Sequence, residues 1–437
     1  MPDTQWDIAV VGAGAAGLAA GIFAAEADPA ARVVVFDGAA KVGAKILVAG
    51  GGRCNVTHWR VATDDYNAAS RSFVRNVLAS FSVEDTIRWM ASMGVELKRE
   101  ETGKLFPVTD KARTVLDGLL ARLRDRGVTL LTDHRVTSIV AQSEGATPPL
   151  PGEHQFILET AHGRHTARRL ILATGGRSLP RTGSDGGGYE LARSLGHTVT
   201  HTHAALVPMV LQQHFFHSGL SGVSLDAEIT TLVGDKPIDQ RRGSLLWTHF
   251  GLSGPLAMDA SRHWLAARDA GQAPAWQLNL LPGERFETLE NAFVARAAAS
   301  PRLSVRRLLQ EHIPPPAGAD PPPAPLPEKL ISALLDWIQL DPATPLAQLK
   351  RDDRRRLIHA LVALPLPVEQ DRGWNYAEVT AGGVPLEEVS WRTMSSRKVP
   401  GLHLVGEILD VDGRIGGFNF QWAWATGHLA GRAAAGV

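Results

Sequence analysis

Hydrophobic positions along the first forty residues follow two different rhythms. Residues 7–11 form a short apolar run, a glycine-rich turn GAGAAG follows, an alanine-rich stretch runs to about residue 27, and a β-branched run occupies 32–36. That order predicts a strand, a tight turn, a helix and a second strand, a βαβ unit. Further along, residues 82–93 and 111–127 carry helical periodicity, while 129–131 and 135–140 read as strands. Residues 155–173 read as a strand pair, QFILET and RRLILAT, around a turn at His162 and Gly163.

From about residue 197 to 367 the texture changes. Strand-like segments appear at 226–233 and 276–280, and helical stretches follow Pro282. The segment IPPPAGADPPPAPLP, about residues 313–327, is too rich in proline for a helix or central strand and predicts an extended surface loop. After residue 379 glycine-rich apolar sequence returns, with GLHLVGE as a strand and 419–434 as a helix. The tail is expected to fold back onto the N-terminal unit, so that residues 1–197 and 368–437 make one discontinuous domain and 198–367 an insertion.

Composition narrows the class. A chain of 437 residues exceeds what one core usually organises, and 44% hydrophobic with 21% charged residues is ordinary for a soluble globular protein. Lys+Arg and Asp+Glu both number 45, so no global field points to a nucleic-acid or membrane partner. The single cysteine, Cys54, excludes an internal dithiol relay and fits a reducing, cytoplasmic setting. No apolar run reaches the roughly 18 to 20 residues of a membrane span. No serine elbow, zincin helix or phosphate-loop lysine signature is present, which argues against hydrolase and nucleotidase chemistry.

The chemistry lies in the glycines. Gly12, Gly14 and Gly17, with Ala15 and Ala16 between them, allow a tight turn and close approach of a pyrophosphate to main-chain amides at the positive end of a helix. Asp37 ends the next strand, about twenty residues on, where a carboxylate can accept ribose hydroxyls. This pattern predicts dinucleotide binding but fits FAD and NAD equally. The run GAKILVAGGGRCNVT, residues 43–57, adds three successive glycines that can lie against a flat ring or a phosphate, followed by polar residues.

Taken in order, GAGAAGLAA, GAKILVAGGGRCNVT, ILATGG, THFGLSGP, VTAGGVPLEEV and GLHLVGEILDVDGRIGGFNFQWAWATGHLAG span residues 7–431. In these segments the chain resembles the BaiN/YhiN-like family of NAD(P)/FAD-dependent oxidoreductases, flavoproteins with a glutathione-reductase-like FAD fold. The resemblance implies an α/β protein: a Rossmann-like FAD-binding domain of the three-layer ββα type, with an inserted β-barrel-like plus helical domain. It also implies that Gly12, Gly14, Gly17 and Asp37 hold the ADP half of FAD, with Val136 near adenine. Lys45, Gly51, Gly52, Arg53, Cys54 and Asn55 are implied nearer the flavin, and Thr174, Gly175 and Gly176 beside the cofactor. Gly406, Glu407, Asp410, Gly416, Gly417, Phe418 and Asn419 are implied to close over the ribityl chain and isoalloxazine. Asp410 is expected on ribityl hydroxyls, and Asp412 either at the site or capping a loop.

Cys54 admits three readings: a buried packing thiol, a proton donor to a substrate carbon, or a metal or redox-sensing group. His249, within WTHFGLSGP, is the second catalytic candidate, against a structural histidine. His201 and His203 lack further ligands at metal spacing, and no metal is expected. The basic runs 302–307 and 350–356 read as solvated helix faces before nucleic-acid contacts. The resemblance implies NAD(P)H as transient donor, and the favoured mechanism is hydride transfer from flavin N5 to an activated C=C bond or related acceptor. The acceptor is a small molecule or a uracil base in RNA, and the rival class is a non-catalytic FAD-binding protein. No second GxGxxG marks a pyridine-nucleotide site, and oligomeric state is not legible.

Overall fold

A computed structural model describes residues 4–142, 155–311 and 325–437. Most of the proline-rich stretch predicted as a surface loop lies outside the described residues. The chain forms two compact units, Met1–His203 with Glu378–Val437, and Ala204–Ala377. These boundaries fall six and ten residues beyond those expected from sequence. Thr198 and Thr200 hydrogen-bond to Glu388 and Gly383 of the first unit, whereas Val368–Asp371 completes a sheet of the second.

The first unit is built on a parallel sheet. Its strands run in the order Thr129–Leu131, Val33–Phe36, Thr4–Val11, Gly163–Leu172, and the last also pairs in parallel with Leu402–Leu404. Gly163–Leu172 is long enough to pair twice. Its first half runs antiparallel to Phe156–Thr160, which pairs with Val136–Ala141. Val33–Phe36 is buried throughout, as befits a central parallel strand covered on both faces. Helices Ala15–Ala27, Ala112–Asp125 and Phe418–Ala434 pack beside this sheet. The C-terminal helix is amphipathic in an unusual way: it buries Trp422 and Trp424 but also Gln421 and Thr426.

The second unit is antiparallel. Its ladder runs Leu364–Leu366, Pro274–Asn279, Ser224–Val233, Lys236–Thr248, Gly251–Ser253, Met209–Leu211, Val368–Asp371. The two terminal strands of that ladder are one stretch of chain broken at Pro367, so the sheet closes on itself as a barrel. Pro367 has no N–H to give, and its carbonyl accepts from the Gln212 amide at 3.0 Å. Helix Gly254–Asp269 packs on the two longest strands, and Phe286–Ala299, Val305–Gln310, Glu328–Trp337 and Arg351–Val362 form the helical part.

Candidate functional site

The glycine turn after the first strand is shaped by what cannot fit there. Gly12 has φ +105°, and a Cβ on it would lie 2.4 Å from the Ala173 carbonyl oxygen. A Cβ on Gly17 would lie 1.8 Å from the Gly12 carbonyl oxygen. These two glycines lock strand, turn and helix together. Gly14 is different, because a Cβ there would meet nothing within 4 Å. It is also the residue that starts helix Ala15–Ala27, whose first turn has no side-chain cap and no acidic residue. Free amides and the positive helix end therefore face open space at Gly14, the geometry of an anion cradle.

Asp37 is fixed beside this turn. Its Oδ2 accepts from the Ala13 amide at 2.7 Å and its Oδ1 from the Ala39 amide at 2.8 Å. Each oxygen keeps a lone pair, so two vicinal hydroxyls can still be bound. The Asp37 carbonyl also accepts from the His134 amide at 2.8 Å, which ties the turn to the strand that opens at the buried Val136. Arg135 pairs with Asp185 at 2.8 Å and lies against Gly38.

The segment Ala44–Gly52 begins as a helix and breaks at Ala49. Gly50, Gly51 and Gly52 then take φ of 57°, 69° and 85°, and Cys54 follows at 60°. Cβ atoms on Gly51 and Gly52 would meet almost nothing, so the face of this left-handed turn is open. Cys54 is the exception, a non-glycine residue held in the left-handed region by its surroundings. Its side chain is completely buried and burial pushes the thiol up to about 12. A thiol in that setting is protonated and sealed in, which supports packing. The Arg53 guanidinium lies over the Phe106 ring and pairs with Glu100 at 2.6 Å, so it is engaged by protein groups.

Lys45 joins segments far apart in sequence. Its Nζ donates to Ser178 Oγ at 2.6 Å and to Glu407 Oε2 at 2.5 Å. Glu407 Oε1 accepts from Ser178 Oγ at 2.7 Å and from the Thr380 amide at 2.9 Å. Gly176 can pass here only without a Cβ, which would lie 2.3 Å from Thr380 Oγ1. The Glu407 carboxylate is thus spent on orienting Lys45, Ser178 and Thr380. Gly406 meets the first helix, where a Cβ would stand 2.8 Å from the Ala16 methyl. Its amide donates to Thr426 Oγ1 at 3.1 Å.

The C-terminal turn is equally constrained. A Cβ on Gly417 would lie 2.6 Å from the Thr57 carbonyl carbon, and Phe418 stacks on His58 with centroids 4.9 Å apart. Gly416, at φ +135°, lies against the Phe418 ring. Asn419 is used by the protein itself: its Oδ1 accepts from the Gly413 amide at 2.8 Å and its Nδ2 donates to the Gly413 carbonyl at 2.9 Å. Asp410 accepts from Thr200 Oγ1 at 3.0 Å, and the buried Asp412 accepts from Asn67 Nδ2 at 2.9 Å.

Two buried side-chain oxygens in these segments have no partner in the protein, Asn55 Oδ1 and Thr174 Oγ1. Burying a polar atom without a hydrogen bond is costly, so each is free to accept from a group outside the chain. With the open Gly14 turn and the open Gly51–Gly52 face, the residues present fit a dinucleotide carrying a planar ring. His249 is exposed in the two-residue turn between strands Lys236–Thr248 and Gly251–Ser253 of the second unit. His201 and His203 have ring centroids 6.4 Å apart. Among the described residues no group of three His, Cys, Asp or Glu is placed to hold a metal, and no helix is long and apolar enough to cross a membrane.

Sequence reasoning passed over Ser178, Thr380 and Gln421. Gln421 Oε1 accepts from Thr57 Oγ1 at 2.7 Å and Thr86 Oγ1 at 2.9 Å, and its Nε2 donates to the Phe81 carbonyl at 2.8 Å. A lone amide in the apolar run FQWAWAT was the available signal. Ser178 and Thr380 carried none, since their partners lie far away along the chain.

Comparison with known proteins gives a consistent picture. The sequence profile of the HI0933-like protein Rossmann domain matches residues 6–433. The chain is 35% identical over 428 residues to the 3-dehydro-bile acid delta(4,6)-reductase of Clostridium scindens, covering 98% of both chains. It is 34% identical over 424 residues to the ribosomal RNA dihydrouridine synthase of Escherichia coli, covering 97% of this chain and 96% of that one. Among solved structures, the 3-ketosteroid delta1-dehydrogenase of Sterolibacterium denitrificans shares the fold, with a TM-score of 0.51 at 13% identity over 99% of this chain and 100% of that chain.

Proposed function

We propose a C=C reductase activity for this chain, from the premise that it belongs to the HI0933-like family and is a FAD-dependent oxidoreductase. The proposed reaction adds hydride to one carbon of a double bond conjugated to a carbonyl, and a proton to the other. NAD(P)H is the proposed donor, losing one hydride per turnover. Bound FAD supplies the two-electron relay between donor and acceptor.

The chain's own residues take distinct roles in this proposal. Amides at Gly14, Ala15 and Ala16 bind the pyrophosphate, and Asp37 accepts the ribose hydroxyls of the adenosine half. Val136 lines the adenine side. Asn55 and Thr174 supply their unpartnered oxygens to the flavin half, and Glu407 and Ser178 hold Lys45 in one orientation beside it. Amides of Gly416–Phe418 offset negative charge that gathers on the reduced ring. Cys54 packs beneath the glycine turn, and Cys54→Ala tests that assignment: retained turnover supports it, and lost turnover with full FAD content restores the proton-donor reading.

The observation that carries the proposal is the open, uncapped helix start at Gly14 in the same unit as two buried oxygens without protein partners. Anaerobic stopped-flow absorbance tests it. NADH or NADPH is expected to bleach the flavin band within seconds, and a conjugated enone to restore it. Bleaching by dithionite alone, with no acceptor-dependent recovery, refutes the reductase reading. Two relatives named ribosomal RNA dihydrouridine synthase favour a second reading, since a uracil ring also carries a C=C bond conjugated to a carbonyl. Recovery of the flavin band with RNA, and not with small enones, would select it.

A further inference from the structure

His58 joins two glycine-rich segments of the first unit. It follows the run GGGRCNVT and lies in a small sheet made by Thr57–His58, Lys104–Pro107 and Leu97–Arg99. Its ring lies on the Phe418 ring, with centroids 4.9 Å apart and planes 23° from parallel. A Cβ on Gly416 would stand 3.1 Å from the Phe418 ring and 3.8 Å from His58 Cδ2. The turn that leads into helix Phe418–Ala434 therefore rests against both side chains.

The His58 ring is fixed at its edges as well as on its face. Nε2 lies 3.0 Å from the Thr102 carbonyl oxygen, while Nδ1 lies 2.8 Å from the Arg60 carbonyl oxygen and 3.2 Å from the Arg60 amide nitrogen. With its proton on Nε2 the ring donates to Thr102 and accepts from the Arg60 amide, so both nitrogens are engaged by main chain. Gly103 passes so close that a Cβ there would lie 2.6 Å from Nε2. A ring confined in this way cannot swing aside, and it gives Phe418 a rigid support. Phe418 is held from a second direction by the buried Tyr66, whose Oη donates to the Phe418 carbonyl at 2.8 Å and whose ring meets it edge-on at 6.2 Å.

We propose that His58 is a positioning residue: by bracing Phe418 it keeps the Gly416–Phe418 amides in place and thereby raises the midpoint potential of the flavin. This rests on the reading that those amides face the reduced ring. Amides fixed in advance stabilise an anion without having to reorganise, and they do little for a neutral ring. A looser turn loses affinity for the reduced flavin alone, which lowers the potential. A residue that served only the fold would weaken both redox states together and leave the potential where it was.

Equilibrium reduction of the flavin-loaded protein by dithionite beside a reference dye reads the potential without turnover. His58→Ala should bind oxidised FAD within about twofold of the wild type and reduced FAD on the order of tenfold more weakly, a fall of about 30 mV for a two-electron couple. His58→Phe, which still offers a ring face to Phe418, should recover most of that fall. An unchanged potential in His58→Ala overturns the proposal, and so does an equal loss of affinity for both redox states. A potential in His58→Phe as low as in His58→Ala overturns the stack as the brace. Wild-type protein that takes up no flavin sinks the reading of the site as well, whereas normal uptake with an unmoved potential sinks this proposal alone.

Discussion

Both units bury tryptophans in their cores, and they differ in how their elements meet. In the first, helices Ala15–Ala27 and Phe418–Ala434 meet almost main chain to main chain: Cβ atoms on Gly427 and Gly431 would lie 2.8 and 2.5 Å from the carbonyl oxygens of Ala16 and Ala20. In the second, Trp247, Trp276, Leu330, Leu334 and Ile358 pack the core, and Gly222, Gly234, Gly271 and Gly283 sit in turns where a Cβ would touch nothing. A unit that holds a long, flat ligand against its amides gives up side-chain volume at its seams. The second unit has its close backbone passage within its sheet, at Gly251, where a Cβ would lie 2.3 Å from the Met209 carbonyl oxygen, and not between two helices.

Four substitutions or titrations can break or sharpen that contrast, beginning with the largest effect. Gly17→Ala should cost more than about 4 kcal/mol, because neither the Gly12 carbonyl nor the helix can move aside, and flavin loading should vanish with it. Urea unfolding and the ratio of visible to ultraviolet absorbance measure both; a flavin-loaded Gly17→Ala protein of normal stability would show that the seam is not tight. Leu334→Ala, in the second unit, should cost about 3 kcal/mol through a cavity while the flavin spectrum is preserved. A lost spectrum there would mean that bulk in the barrel unit also serves the cofactor.

Protonation offers a gentler probe of the first unit. Burial pushes His403 and His428 down to about 4, from the ordinary 6.5. Both are held neutral in the fold, so the unfolded chain binds more protons between those values. The stability they contribute is complete above about pH 6.5 and is lost as pH falls towards 4, by at most about 3 kcal/mol for the more deeply buried His403. Glu388, whose pairing with Lys398, Thr198 and His197 outweighs its burial and holds it at about 2, adds a second loss below its ordinary 4.5. His403→Gln should flatten the slope of unfolding free energy between pH 6.5 and 4, and an unchanged slope would refute the assignment.

Gly14→Ala should have the smallest effect on folding, within about 0.5 kcal/mol, since its Cβ enters open space. Yet it should weaken FAD binding about tenfold by crowding the pyrophosphate. Equal FAD affinity would show that the open face at Gly14 is not where the phosphates lie.

What could be read from sequence was whatever is coded locally. The turn from Val11 to Asp37, helices near 82–93 and 111–127, and the hairpin around His162 each depend on residues a few positions apart. Their observed bounds, Val83–Ser92, Ala112–Asp125 and strands Phe156–Thr160 and Gly163–Leu172, lie close to the expected ones. Strand Lys236–Thr248 escaped notice because IDQRRGS interrupts its apolar pattern where the strand is exposed. Within the site, glycine positions were legible and side-chain partnerships were not. Nothing near Lys45 announces Glu407 or Ser178, and nothing near Asn419 shows that its amide is committed to Gly413.

The central claim is that both ends of the chain enclose FAD, with its ADP half on the Gly12–Gly17 turn. Titrating flavin-free protein with FAD and with FMN, which lacks the AMP portion, tests it most directly through quenching of flavin fluorescence. The account predicts one FAD bound per chain and FMN weaker by more than about 100-fold. Equal affinity for the two, or no uptake of FAD by folded protein, would contradict it.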